Sequence, residues 1–556
     1  MSCCAECGLL LTIAKNSFRR LLATVNYTSH MRSQLLMVGA LALCAGCGGG
    51  TGAASSSAVV IADASAPSVQ IVQGTTLQQD VRVNRPGIGA ASVSVLVAPR
   101  HGTASVDDDQ RVRYSPDADF IGSDSLVYRM APEGGAATTG TLMITVYQSM
   151  TAGAPSVLLP ETGLVARNLA VLVNDSDPQS IAVAAYYVRK RHIPAANVIH
   201  LNFPAGSDSM TSAAFAALKT QVDAAAGSAI QALALTWTRP YRVDGMSITS
   251  AFALGFDTAY ENQTGGCAST KMSPYYNSGS TAPFTDLGVR PAMMLAGVDA
   301  AAVYAVIDRG VAADWTFPSG TGYLLRTSDT SRSVRWSSMT TALAEWNHAP
   351  DGLRLVYVDN SAGTATDSLQ GKGDVLLYMT GLVSVPDIVT NMFRPGAAAD
   401  HLTSGGGVLS GSSAQMSALR WLEGGATASY GAVAEPCNYT TKFPDPAVLL
   451  DQYYRGATLL EAYWKSVAWP GEGVFIGEPL ARPFGRSTLT YDATHTLTLR
   501  TTALVPGKAY DLQAADTSSG PFVTVLGGFK IPFHKMATIT LPGATRASYR
   551  LIGRTN

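Results

Sequence analysis

Short apolar runs alternate with segments of helical period across residues 155–484, and this alternation is the strongest constraint on the fold. Leu169–Val173, Asn197–Leu201, Ile230–Trp237, Ala292–Ala296, Leu353–Val358, Val375–Met379 and Val408–Ser410 read as buried strands. Ser180–Arg191 and Ser212–Ala226 carry apolar residues at helical spacing. Strands alternating with helices of this length argue for a largely parallel sheet. The expectation is an α/β domain with a largely parallel sheet. About 330 residues is ample for a sizeable core.

The flanking segments lose the helical period. Residues 66–148 and 486–556 show short alternating runs separated by Gly, Pro, Asp and Asn, the pattern of β-modules. The expected chain is therefore multidomain: an N-terminal β-sandwich, the central α/β domain and a small C-terminal β-sandwich. Hydrophobic residues make up 47% and charged residues 14%, which excludes a disordered chain. Lys+Arg 39 balances Asp+Glu 40 without a basic run, which argues against a nucleic-acid partner. No stretch reaches the ~18 apolar residues of a membrane span, which excludes a polytopic membrane protein.

In the first module, Pro99-Arg100-His101-Gly102-Thr103 precedes Tyr114-Ser115-Pro116 and Phe120-Ile121-Gly122-Ser123-Asp124-Ser125-Leu126-Val127-Tyr128. This resembles a bacterial cadherin-like or Ig-like repeat, with Leu126 where the family usually has Phe. Asp107, Asp108 and Asp109 read as a charged hairpin turn, with calcium as the alternative.

Met31–Gly50 reads as an address. Arg32 precedes an apolar stretch, Leu35–Leu43, then Cys44-Ala45-Gly46-Cys47. It resembles a bacterial lipoprotein signal, with Cys47 as the lipidated residue and Cys44 departing from the usual Leu. Residues 1–46 are then a mis-called start plus a signal peptide, and 47–65 a flexible tether. Gly48 stands where an inner-membrane retention signal has Asp, so the resemblance implies an outer-membrane lipoprotein, with a lipid anchor in the membrane. Of seven cysteines, removal of Cys3, Cys4, Cys7 and Cys44 and lipidation of Cys47 leave Cys267 and Cys437. In an oxidising compartment they pair as a disulfide, or one of them is a nucleophile.

Four central segments carry a further resemblance: Asn168–Asn174 with Tyr186–His200, Ala232–Val243, Gln415–Cys437, and Phe443-Pro444 with Ala457–Trp464 and Ile476–Leu480. They look like a family of exported bacterial proteins from genomes that encode exosortase, a protein-sorting transpeptidase. That resemblance implies export and assigns no activity. Gly425–Gly431, Gly456–Ala462 and Gly477–Leu480 are more distantly similar to caspase-like peptidases of the gingipain type. In that fold a His ends one parallel strand and a Cys ends its neighbour. The strand ends expected here, Met379-Thr380-Gly381 and Ser410-Gly411-Ser412, offer neither.

The remaining candidates are few. His192, His200, His348 and His401 show no metal-ligand spacing, so neither a metal nor a cofactor is expected. His401 is a candidate to act on Ser410 or Cys437, the catalytic alternative. Asp175 and Asp177 follow the first strand and read as a loop cap. Trp237, Arg239, Tyr241 and Arg242 follow the third strand and could line a groove for an acidic or glycan ligand. Two functions stand: an exported, lipid-anchored protein that binds a protein or glycan at the cell envelope, or a hydrolase with a non-standard nucleophile.

Overall fold

The computed structural model describes residues 68–554 except 73–75, 83–90, 118–119, 121, 133, 148–153, 161, 262–266, 347–352 and 486. Met31–Gly50 with Cys47, and His348, lie outside the described residues. The N-terminal module is β-rich. One sheet orders Ser68–Val72, Thr138–Tyr147, Gly122–Pro132 and Ala91–Val97; a second orders Leu77–Gln79, Val112–Pro116 and Gly102–Val106. Their inner residues, among them Val112, Tyr114, Leu126, Tyr128 and Ile144, share one apolar cluster. The motif residues converge on Asp124, which is 6% exposed. Its carboxylate accepts from the N–H of Arg100, His101 and Ser125 at 3.0, 2.9 and 2.8 Å, and from the Tyr114 hydroxyl at 3.0 Å. Burial pushes the carboxyl up, but these hydrogen bonds prevail and hold it below the usual carboxylate range. The repeat motif is thus a clamp between the two sheets. Asp107 accepts from the N–H of Asp109 and Arg111 and shapes the expected turn.

The central region is built on one ten-stranded sheet. Its strands, in chain order, are β1 (Leu169–Asn174), β2 (Val198–Leu201), β3 (Ala232–Leu235), β4 (Ala292–Met294), β5 (Gly320–Arg326), β6 (Leu353–Asp359), β7 (Val375–Gly381), β8 (Phe393–Leu402), β9 (Ala428–Ala432) and β10 (Gly473–Gly477). Across the sheet they run β2-β1-β3-β4-β10-β9-β8-β7-β5-β6. Every neighbouring pair is parallel except β9 with β10. The sheet is therefore two parallel halves of opposite direction, sewn at one antiparallel seam. Each half has five strands, ordered second, first, third, fourth, fifth from its outer edge inward.

Helices cover both faces. On one face lie α1 (Pro178–Arg191), α4 (Ala300–Ala313), α5 (Trp336–Trp346), α7 (Pro446–Tyr454) and α8 (Leu459–Ser466). On the other lie α2 (Ser212–Ala225), α3 (Ile248–Leu254) and α6 (Leu419–Glu423). Helix α1 starts because Asp177 caps it, accepting from the Gln179 N–H, and Pro178 presets its first turn. It buries Val183, Ala184 and Tyr187, and its last turn is basic, which suits the helix dipole.

The strand expected at Val408–Ser410 is a turn. The neighbour of β7 is instead β8, which ends at His401 and Leu402. Pro395, Gly396 and three alanines disguise it, because small residues are poor strand formers when isolated. They fit here because the strand's inner half is buried on both faces. The 404–410 turn crosses back over the seam instead: Gly407 donates its N–H to the Ala432 carbonyl at 2.8 Å.

The C-terminal region has a three-stranded sheet, Thr488–Tyr491, Leu497–Thr501 and Ala537–Leu541, and a second sheet. The second orders Val523–Phe529, Tyr510–Ala515, Ser548–Gly553 and Ser156–Leu158. The last of these belongs to the chain that leads into the central region; it runs parallel to Ser548–Arg550. His534 stacks on Trp346 at 4.4 Å and joins this region to α5.

The Gly477-Glu478-Pro479-Leu480 segment has a structural explanation. Glu478 is fully buried and accepts from Arg191 Nε at 2.9 Å and from the Tyr187 hydroxyl at 2.7 Å. Arg191 also reaches Asp314. Removing one member of such a buried pair strands the other charge, at about 3–5 kcal/mol. Glu478→Ala is expected to lose that much stability, read as a lowered urea midpoint, whereas Lys219→Ala, in an exposed pair with Asp223, should change it by less than about 1 kcal/mol.

Candidate functional site

Two chain segments meet on the face covered by α2 and α3. The first leaves β3 and runs through Trp237–Tyr241 to the short strand Arg242–Val243. The second is the turn that follows β8. Tyr241 lies in the apolar cluster of that face with Trp237, Phe252 and Leu409. Its hydroxyl reaches Ser410 Oγ at 3.4 Å. Ser410 donates to Asp208 Oδ2 at 2.8 Å and lies 3.0 Å from Ser412 Oγ. The Asp208 carbonyl accepts from the Tyr241 N–H at 3.1 Å, and its carboxylate stands 3.8 Å from Arg239 Nη1. Burial above all, reinforced by Asp208, pushes the Tyr241 hydroxyl up, so it stays a proton donor at neutral pH.

The structure thus brings Arg239, Tyr241 and Ser410 to one place and adds Asp208, whereas Arg242, between Tyr241 and Val243 on its strand, makes no side-chain hydrogen bond or ion pair with them. Sequence reasoning missed Asp208, which sits in a Gly/Ser loop with no periodic or motif signal. Trp237 is not part of this surface. It is fully buried, gives its indole N–H to the Pro240 carbonyl at 3.1 Å, and packs edge-on against Phe203.

His401 is elsewhere in its bonding. It is fully buried on β8. Trp421 Nε1 lies 3.0 Å from its Nδ1, and the Met416 carbonyl lies 3.1 Å from its Nε2. An indole N–H can only donate, so Nδ1 accepts and Nε2 carries the proton. Burial, with the charges of Arg335 and Arg332, holds the imidazole down to about 3 against the Met416 carbonyl. A neutral histidine with both nitrogens engaged braces α6 against the sheet and has no free nitrogen for proton transfer.

Cys437 forms a disulfide with Cys267, as the cysteine arithmetic expects. Its N–H donates to Glu435 Oε1 at 2.8 Å, and Ser404 donates to the same oxygen at 3.0 Å. His200 lies 2.8 Å from Asp175, both exposed, while Asp177 is the α1 cap already described. Arg420 and Glu423 form an exposed pair on α6. Among the described residues no three His, Cys, Asp or Glu side chains converge as metal ligands.

The arrangement around Asp208 therefore offers hydroxyl donors and acceptors, one carboxylate and the guanidinium group of Arg239. Among the described residues Ser410 hydrogen-bonds Asp208, Ser412 and Tyr241.

Comparison with known proteins gives one family match: residues 56–145 fit the bacterial Ig domain. The N-terminal region is thus Ig-like, and within the described residues its two sheets agree with that. A search of curated proteins returned no match. One solved structure, titled "Structure of Protease", is similar at 10% identity with a TM-score of 0.35, over 71% of this chain and 98% of that one. A second is the 2,6-sialyltransferase of Vibrionaceae Photobacterium sp. JT-ISH-224 in a ternary complex with CMP and lactose. It matches at 7% identity and a TM-score of 0.12, over 30% of this chain and 34% of that one. Neither likeness is close enough to carry an argument about fold or function.

Two outcomes follow. His401 titrates only in the unfolded chain between about pH 6.5 and 3, so its neutral burial stabilises the fold above that window and the benefit is lost as pH falls through it. The stability gap between the native chain and His401→Gln should shrink by roughly 2 kcal/mol between pH 7 and 5, measured by urea unfolding. The disulfide spans 170 residues. Its reduction should remove up to about 5 kcal/mol, and non-reducing peptide mapping should recover a Cys267–Cys437 linked pair.

Proposed function

We propose that this chain is an exported envelope protein that binds a ligand at the cell surface, without catalytic turnover. The observation that carries this reading is the Ig-like N-terminal region, since bacterial Ig domains are typical of extracellular or surface proteins. Three further features favour it. A disulfide joins Cys267 and Cys437, as suits an oxidising compartment. Among the described residues no helix is long and apolar enough to cross a membrane, so attachment would come from the Cys47 lipid. Within the segments resembling the exosortase-associated family, Tyr430, Glu461 and Glu478 are buried scaffold.

The central region is read as a caspase-like fold that has kept its frame and lost its dyad. Its neighbouring parallel strands β7 and β8 end in Thr380-Gly381 and His401-Leu402, without a cysteine. The C-terminal region is read as a small β-sandwich, on the grounds that residues of both its sheets share one apolar cluster.

Two measurements test this. Cys47→Ser should move the protein from the membrane to the soluble fraction and abolish incorporation of labelled palmitate. Fluorophosphonate and iodoacetamide probes should leave the purified mature protein unlabelled. Stoichiometric labelling of Ser410 would turn the assignment to a hydrolase.

A further inference from the structure

We propose that the Ig-like module is hinged on the central region through an ionic joint with α1 and α4, closed at low ionic strength and open at high ionic strength.

The joint is a row of alternating charges. The Ig-like side supplies Asp80 and Arg82, which follow the strand Leu77–Gln79. Arg82 holds the Asp80 carboxylate through Nε and Nη2, both at 2.8 Å. The same carboxylate reaches across to α1, where Lys190 Nζ stands 3.3 Å from its Oδ2. Lys190 also stands 2.9 Å from Asp308 Oδ1 on α4. Tyr186 donates to both oxygens of Asp308 at 2.9 Å. Just past α1, His192 Nε2 lies 3.5 Å from Arg111 Nη1 of the module, and Arg111 pairs with Asp109 at 3.2 Å. The Asp80 and Lys190 side chains are 14% and 15% exposed, so each surface shields the other's charge from water.

Apolar packing is not what holds this joint. The module's apolar cluster and the one that contains Val183 and Tyr187 of α1 share no residue among the described ones. Val81, between Asp80 and Arg82, belongs to the module's own cluster. Val183, Ala184 and Tyr187 are the apolar residues that α1 buries, which leaves Lys190 and His192 to the module.

Contacts of this kind have a definite salt response. Screening shortens their reach from about 30 Å at 0.01 M salt to about 3 Å at 1 M, whereas an apolar interface is not weakened. The chain runs from Tyr147, the end of the module's last strand, to Ser156 in the C-terminal sheet. So short a connection holds the two surfaces at an effective concentration on the order of millimolar. A few weak contacts then suffice to close the joint, and screening them suffices to open it. Opening frees the face of α1 and α4 that carries Lys190 and Asp308.

Small-angle scattering on the purified full chain, extrapolated to zero protein concentration, reads the hinge. The radius of gyration should rise by roughly 10% between about 20 mM and about 500 mM NaCl. Lys190→Glu sets a negative charge against Asp80 and Asp308 and should give the expanded value already at low salt, with far-ultraviolet circular dichroism like that of the native chain. Lys190→Arg should keep the native salt response. Lys219→Glu makes the same charge change in the exposed pair with Asp223 and should stay compact at low salt. A radius of gyration constant across salt, a Lys190→Glu chain as compact as the native one, or equal expansion of Lys219→Glu would each overturn the joint. Should Lys190→Glu lose its circular dichroism, the salt response of the native chain decides alone.

Discussion

The antiparallel pairing of Ala428–Ala432 with Gly473–Gly477 holds the central region together. Each parallel half could close its own hydrogen bonds, but the two point in opposite directions and need a seam. Side-chain size limits that seam. A Cβ on Gly473 would fall 2.0 Å from the Tyr430 hydroxyl, and one on Gly431 would fall 2.3 Å from the Gly406 carbonyl carbon. The small residues let the 405–407 loop lie directly on the seam, which carries Ser410 across to Tyr241. The surface cluster thus depends on two glycines outside it.

Buried charge marks the same region. Lys442 and Glu472 pair at 2.7 Å and Arg335 and Asp400 at 2.6 Å, all four at most 2% exposed. Glu461 closes a capping box on α8 and also accepts from the Leu164 N–H at 2.9 Å, tying the incoming chain to the helix. Such groups set register and direction more than they add stability. Residues that would draw attention as catalytic by their chemistry here serve as joints.

The alternation of strands and helices was legible because most central strands are fully buried, apolar and bounded by turns. Phe393–Leu402 was not, since its alanines and its Pro-Gly pair mean nothing until two neighbours close on them. Gly320–Arg326 escaped notice for a related reason: a Cβ on Gly322 would stand 2.5 Å from Leu355, a constraint visible only in three dimensions. Counting thiols narrowed Cys267 and Cys437 to a disulfide or a nucleophile, and the fold decides it by bringing their Cα atoms to 5.6 Å. The cluster was half legible. Arg239 and Tyr241 were visible in a dense polar stretch after a strand, and Ser410 as a turn serine. Asp208, which joins them, lies about 200 residues from Ser410 in sequence and emerges only from the crossing of two loops.

The short strand Ser156–Leu158 has a bearing on the order of assembly. Its partner strand begins at Ser548, and the Ser156–Ser548 side-chain contact spans 392 residues. In a chain made from its N-terminus, this edge strand waits unpaired while the whole central region folds. The C-terminal sheet cannot be completed until nearly the last residue has arrived. Its closure is then the final event that joins the two ends of the central region, and a chain truncated even modestly at its C-terminus would leave Ser156–Leu158 without its partner strand.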